Sequence, residues 1–299
     1  MYLKGLLILI FCSCFSLNFF AEQFIYQDSA KVKKNRLIVV GGTTTLLLGS
    51  SYYYLQNVWW DEKQIDFHFD AGADLKYALN VDKAGHFLGG VQASDAFSSA
   101  LIWGGINKKK SLLYGAFFGS ALQLGIEIKD AYAPYWGFSK WDLLSGSFGS
   151  FWPFLQSKNE ALEAINFKFS YYKHSNTYWD LEAERNKDIG SMAWQDDYPN
   201  QTYWASFDLN YFLNTKRWPE WLNVALGFGL DESQYIDAYN RKKGGNNELY
   251  IGFDYNLKKM FKKNNSPIVK EIKHWLNYFH FPAPAIRLSP DLEFYLLFL

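Results

Sequence analysis

The sequence predicts an α+β protein: a Gly-rich bundle of about four helices, followed by a half rich in antiparallel strands. Two observations carry this expectation. From Arg36 to about Gln156 apolar residues recur at helical spacing, with small residues four apart. From about Ala164 onward the period becomes two, and apolar side chains alternate with small or polar ones. At 299 residues the chain can bury a substantial core. Its 30 basic residues balance 30 acidic ones, so its overall field gives no reason to expect a nucleic-acid partner. Aromatic content is high at 20%, which suits a core and equally a membrane interface.

Residues 1–21 read as an export signal, with Lys4 ahead of an apolar stretch from Leu6 to Phe15 and a more polar exit. Cleavage after Ala21 places Phe19 where a small residue is preferred, and cleavage after Ser16 fits better. Both cysteines, Cys12 and Cys14, lie in this segment. Cys14, after Ser13, is a conceivable lipid-attachment point. Cleavage at or beyond Ser16 leaves a mature chain with neither a disulfide nor a thiol nucleophile.

Residues 36–156 form the expected helical domain. Its candidate helices are Leu37 to Leu55, Lys83 to Ile106, Ser111 to about Lys129, and Lys140 to Leu155. Gly85 with Gly89, Gly115 with Gly119, and Ser145 with Gly149 each share a helix face, which lets backbones approach closely. Residues 164–299 form the expected strand-rich domain. Strands are predicted over Ile165–Tyr171, Tyr203–Tyr211, Leu222–Leu230, Leu249–Leu257 and Asp291–Leu299. A short helix is predicted from Pro267 to Tyr278, then an extended stretch through Pro282 and Pro284. Apolar residues on one face and Gly, Asp, Asn or Ser on the other are the pattern of outer-membrane strands. Five or six strands, however, are fewer than the roughly eight of a small barrel of that kind, and the chain ends in Leu299 rather than an aromatic residue. A sheet laid by its apolar face on the bundle is therefore preferred.

The charged residues cluster at helix ends. If the second, third and fourth helices run up, down and up, Asp82, Lys83 and His86 approach Glu127, Asp130 and Asp142. The loop from Ala131 to Ser139 then covers this end with Tyr132, Tyr135 and Trp136. A histidine among carboxylates can hold a divalent metal or form an acid–base pair. Structural roles fit the same residues. Asp82 is placed to cap a helix, and Ser139 with Asp142 reads as a capping box. Lys129 suits a helix C-terminus, and His86 can salt-bridge to Glu127. Elsewhere, His68 and Asp70 have no clear third ligand, and His274 and His280 read as interface residues among aromatics.

The stretches DKAGHFLGG at 82–90 and GIEIKDAYAPYWGFSKWDLLSGSFGS at 125–150 resemble the uncharacterised YfiM-like family of predicted periplasmic lipoproteins. A weaker likeness is to VanZ-like membrane proteins, which share the D-K-x-x-H, an acidic helix end and a later Asp. The resemblance covers roughly residues 78–152 and singles out Asp82, Lys83, His86, Glu127, Asp130 and Asp142. It implies no reaction. Both families tend to carry Asp or Asn four residues after Asp142, where this chain has Gly146.

The sequence thus points to an exported cell-envelope protein, periplasmic or associated with the outer membrane. Its expected partner is a membrane or lipid, and its expected role structural or binding. One alternative is a hydrolase acting on envelope lipid or cell-wall material. There His86 is base or ligand, Glu127 and Asp142 are acids or ligands, and Lys83 stabilises negative charge. Another is an outer-membrane barrel. A third is an inner-membrane protein, with Lys31, Lys33, Lys34, Arg36 and Lys108 to Lys110 on one side. Against it, the third and fourth helices are short for a span of about 20 apolar residues. No motif specifies a cofactor or substrate.

Overall fold

The computed structural model describes residues 31–72, 74–134, 136–184, 196–215, 217–231, 245–260 and 266–299. The export signal, Cys12, Cys14 and Tyr135 lie outside these residues. The helical part comprises α1 (Lys34–Val58), α2 (Val81–Trp103), α3 (Lys108–Asp130) and α4 (Lys140–Gln156). The Asn107 side chain caps α3 by accepting from Lys109 N and Lys110 N. Gly105, at a φ of 86°, makes the turn between α2 and α3 that an L side chain resists.

Helices α2, α3 and α4 pack tightly against one another because glycines remove the side chains between them. A Cβ on Gly90 would strike the carbonyl oxygen of Gly146 across the α2–α4 contact, and one on Gly149 would strike that of Phe87. Gly115 is pressed against Ser94 and Ser98, and Gly119 against Ser150. Of the glycines expected in these contacts, Gly85 instead faces the Tyr203 hydroxyl, at 2.8 Å from an added Cβ, and Gly89 has ordinary room. Helix α1 lies at the side, where Arg36 reaches the Trp103 carbonyl and stacks over its ring. By length and composition α3 is sufficient to cross a membrane, but it is packed between α2 and α4.

The strand-rich part is a six-stranded antiparallel meander, β1 (Ile165–Tyr171), β2 (Gln201–Phe207), β3 (Leu222–Leu230), β4 (Asn247–Tyr255), β5 (Ala283–Ser289) and β6 (Glu293–Phe298). Short helices α5 (Glu160–Glu163), α6 (Thr177–Glu184) and α7 (Leu209–Phe212), and the longer α8 (Pro267–Leu276), lie before or between the strands. The strand expected over 203–211 stops at Phe207. There the Asp208 side chain accepts from Asn210 N and turns the chain into α7. Of the apolar face expected on the bundle, β1 lies there, with Phe167 against Phe87 and Trp152, whereas Leu226, Leu249, Ile251 and Ile286 of β3 to β5 are exposed instead.

The six strands are as few as expected, yet the sheet curls on itself. Phe169 of β1 pairs in parallel with Phe279, in the chain leading into β5. Phe169 N donates to Tyr278 O and His280 N donates to Phe169 O. With β5 already joined to β4, this closes a small barrel. Its inward face is mixed, with an apolar cluster of Trp204, Ala225, Tyr250 and Ala285 beside buried polar residues. Lys168, Ser206, Asn223 and Asp254 are buried there, and His280 stacks on Trp204 at 4.0 Å between ring centres.

Candidate functional site

The cluster is built on an unusual approach to α2. A tight turn from Asp74 to Asn80 carries three successive residues in the left-handed region, Ala78, Leu79 and Asn80, at φ 42°, 47° and 67°. None is glycine, so the turn is strained. It is held by burial of Ala78 against Val81 and by Asn247, which donates to the Leu79 carbonyl at 3.1 Å. Asn80 makes no side-chain cap bond. Asp82 is therefore not the helix cap that its position suggested. It lies inside the first turn and is buried.

Lys83 is the hub. Its Nζ lies 2.6 Å from Asp74 Oδ2, 2.9 Å from Asp82 Oδ2 and 3.1 Å from Asp142 Oδ1. Asp74 also accepts from the Ser139 hydroxyl at 2.7 Å. Ser139 caps α4 by accepting from Asp142 N, which is half of the expected capping box. The other half is supplied by a different residue, since Ser139 N donates to Glu127 Oε2 at 2.8 Å. Glu127 thereby ties the end of α3 to the start of α4.

His86 lies one turn into α2. Its Nδ1 is 3.0 Å from Gln123 Oε1, and the Gln123 amide nitrogen donates to His86's own carbonyl at 3.4 Å. That second bond orients the amide so that its oxygen meets the ring, which places the proton on Nδ1 and leaves Nε2 a free lone pair when neutral. Nε2 lies 3.9 Å from Asp142 Oδ2, too far for a hydrogen bond. The expected His86–Glu127 salt bridge is not formed.

Burial dominates the electrostatics. It pushes Asp82 up to about 8 and Glu127 up to about 8, and Asp74 and Asp130 each to about 6. Burial alone would lower His86, but the Asp142 carboxylate and the Gln123 bond outweigh it and raise the imidazole to about 8. Burial would likewise raise Asp142, yet His86 and Lys83 hold it below the ordinary carboxylate range. The site thus has one strongly ionised acid beside two bases, surrounded by acids that resist ionisation.

Of the residues singled out from sequence, Asp82, Lys83, His86, Glu127 and Asp142 come together. Asp130 turns to the side, where it accepts from Trp60 Nε1 at 2.7 Å. A shallow groove beside it is lined by Trp59, Trp60, Lys129 and Trp136 among others. Lys129 reaches Gln56 and sits over the Tyr52 and Trp60 rings rather than serving only the helix end. His274 and His280 lie among aromatics as expected, and His274 also pairs with Asp95. Asp74 and Gln123 were missed. Gln123 had a signal, being four residues before Glu127 and so on its face of α3. Asp74 had none, because the turn that brings it to Lys83 is not readable from pattern. His86, Glu127 and Asp142 each offer a ligand atom, all within 4.8 Å of one another. Asp74, Asp82 and Asp142 form a second such group, but Lys83 already occupies it as the cation.

Residues 72–157 match one family. It is described as Predicted periplasmic lipoprotein (DUF2279). The matched segment is under a third of the chain but contains every charged residue of the cluster. It supports the periplasmic-lipoprotein part of the resemblance and, with it, an exported envelope location. No curated protein and no solved structure matches the chain. The family description names no reaction, so the chemistry of the site rests on its geometry.

Proposed function

We propose that this protein is an exported envelope protein that lies against a lipid surface and has a structural or binding role there. The observation that carries the reading is the apolar outer wall of the barrel. Leu226, Leu249, Ile251, Ile286, Phe294 and Leu296 are exposed there, while the interior combines the Trp204–Tyr250 cluster with the buried polar residues Lys168, Asp254, Ser206 and Asn223. An exposed wall of this kind is costly in water and favoured by hydrocarbon. Apolar side chains are exposed on the bundle as well, among them Phe117 and Leu124 of α3 and Leu144 and Phe148 of α4. Soluble monomers rarely expose contiguous apolar patches beyond a few hundred Å². At one end of the barrel Trp221 stacks on Tyr255 and Trp218 packs by Phe253, the kind of residue that collects at a bilayer interface.

Flotation with vesicles of phosphatidylethanolamine and phosphatidylglycerol tests this. The Cys14→Ser protein, which an acyl chain on that cysteine cannot anchor, is expected to rise with the vesicles. Aspartate at Leu226, Ile251 and Ile286 together is expected to cut the bound fraction at least about tenfold, since each buried aliphatic side chain is worth about 1.5–3 kcal/mol. Recovery of the Cys14→Ser protein in the dense fraction, with its fold intact by circular dichroism, would remove the reading.

A further inference from the structure

The cluster at the α2–α3–α4 end gathers more carboxyl groups than bases. Asp74, Asp82, Glu127, Asp130 and Asp142 share the charges of Lys83 and His86, and Lys129 acts on Asp130. Lys83 satisfies the Asp74 side of this group. On the other side His86, Glu127 and Asp142 come together, and Lys83 reaches this group at Asp142.

We propose that His86, Glu127 and Asp142 bind one divalent transition-metal ion of the Zn²⁺ or Mn²⁺ class. Two of the three are already held through one polar atom. Gln123 fixes His86 through Nδ1 and Ser139 N–H fixes Glu127 through Oε2, while the Lys83 ammonium lies 3.1 Å from Asp142 Oδ1. A ring nitrogen of His86, one oxygen of Glu127 and one of Asp142 all lie within 4.8 Å of one another. Partners that grip the outer atom and leave the inner one free are the arrangement metal ligands require. The 3.9 Å between His86 Nε2 and Asp142 Oδ2 is too long for a hydrogen bond and lies within the roughly 4.2 Å that two ligands each about 2.1 Å from a shared ion can span.

A second observation points the same way. Asp142, itself one of the three, is 6% exposed and its Oδ1 has no hydrogen-bond donor. A buried carboxylate oxygen without a donor costs free energy unless positive charge lies nearby. An ion held by Asp142 supplies such charge beyond that of Lys83. The imidazole ligand favours a transition metal over Mg²⁺ or Ca²⁺, which prefer oxygen donors alone.

The test uses the full chain with Cys12 and Cys14 replaced by serine, so that no thiol takes up metal. Protein stripped with EDTA is dialysed against Zn²⁺ or Mn²⁺ alone and its bound metal counted, with Co²⁺ absorption as a second readout. About one equivalent is expected, with visible Co²⁺ bands that report nitrogen and oxygen ligands. His86→Gln and Glu127→Gln are expected to weaken binding at least tenfold. Gln123→Leu is expected to weaken it about 10- to 100-fold through the ring's lost support. Asp130→Asn is expected to leave it unchanged. If His86→Gln does not fold, Glu127→Gln still decides, because its amide oxygen can accept from Ser139 N–H. Parent protein that retains neither Zn²⁺ nor Mn²⁺, or a folded Glu127→Gln protein that binds as tightly as the parent, would overturn the proposal.

Discussion

Lys168 on β1 holds Asp254 on β4 at 2.7 Å, and the same ammonium donates to the Tyr255 carbonyl at 2.7 Å. In a flat sheet strands three places apart are roughly 14 Å apart, beyond the reach of a lysine side chain. The pair therefore records how tightly the sheet curls. It also shows what fills the barrel: Ser206 donates to Asp254, and Asn223 donates to Ser206. Burial depresses the Lys168 ammonium, and Asp254 opposes that loss by keeping the charged form favourable.

Removing one partner is expected to be costly and removing both much less so. Lys168→Met should lower the unfolding free energy by about 3–5 kcal/mol, since it leaves Asp254 buried without its counter-charge. The double replacement Lys168→Met with Asp254→Leu should recover most of that loss. Urea unfolding of the three variants measures the coupling, and purely additive losses would show that the pair is not what the barrel interior rests on.

Neighbouring glycines in α2 should respond oppositely to the same substitution. Gly90→Ala places a methyl group against the Gly146 carbonyl, a backbone atom that cannot move aside without separating α2 from α4. The expected cost is about 1–3 kcal/mol. At Gly89 the nearest atom to an added Cβ is Gln123 Nε2 at 3.8 Å. Gly89→Ala should therefore be neutral or stabilise the helix by up to about 1 kcal/mol. Thermal melts that move equally for both would remove close backbone packing as the reason for these glycines.

Much of the fold was legible because periodicity reports directly on burial of one face. Four helices and the strands at 165–171, 222–230 and 247–255 emerge close to their expected bounds. Closure of the barrel was not legible, because it depends on one parallel pairing between Phe169 and Phe279, more than a hundred residues apart. Helix-end spacing brought Asp82, Lys83, His86, Glu127 and Asp142 to one place. It could not supply Asp74, which arrives on a turn of left-handed residues that no propensity favours. The glycine at 146 looked like a defect in the cluster. Its structural role is to make room, since a Cβ there would strike the Gln123 side chain that orients His86.

The contact between α8 and the bundle should fail in acid, and through one residue. Asp95 of α2 accepts from the Tyr278 hydroxyl at 2.6 Å and pairs with His274 Nε2 at 2.5 Å. Burial alone would raise its pKa. The His274 pairing and the Tyr278 bond outweigh burial and lower it from 3.8 to about 2. A carboxyl whose folded value is depressed contributes stability that is complete above the unfolded value and lost as pH falls through the folded one. The contribution should thus be about 2 kcal/mol above pH 4 and should fade between about pH 4 and pH 2. Asp95→Asn removes it, so the two proteins should differ at pH 5 and converge near pH 2. Denaturant unfolding at both pH values measures the gap. A gap of the same size at each would mean that Asp95 acts through packing alone and not through its charge.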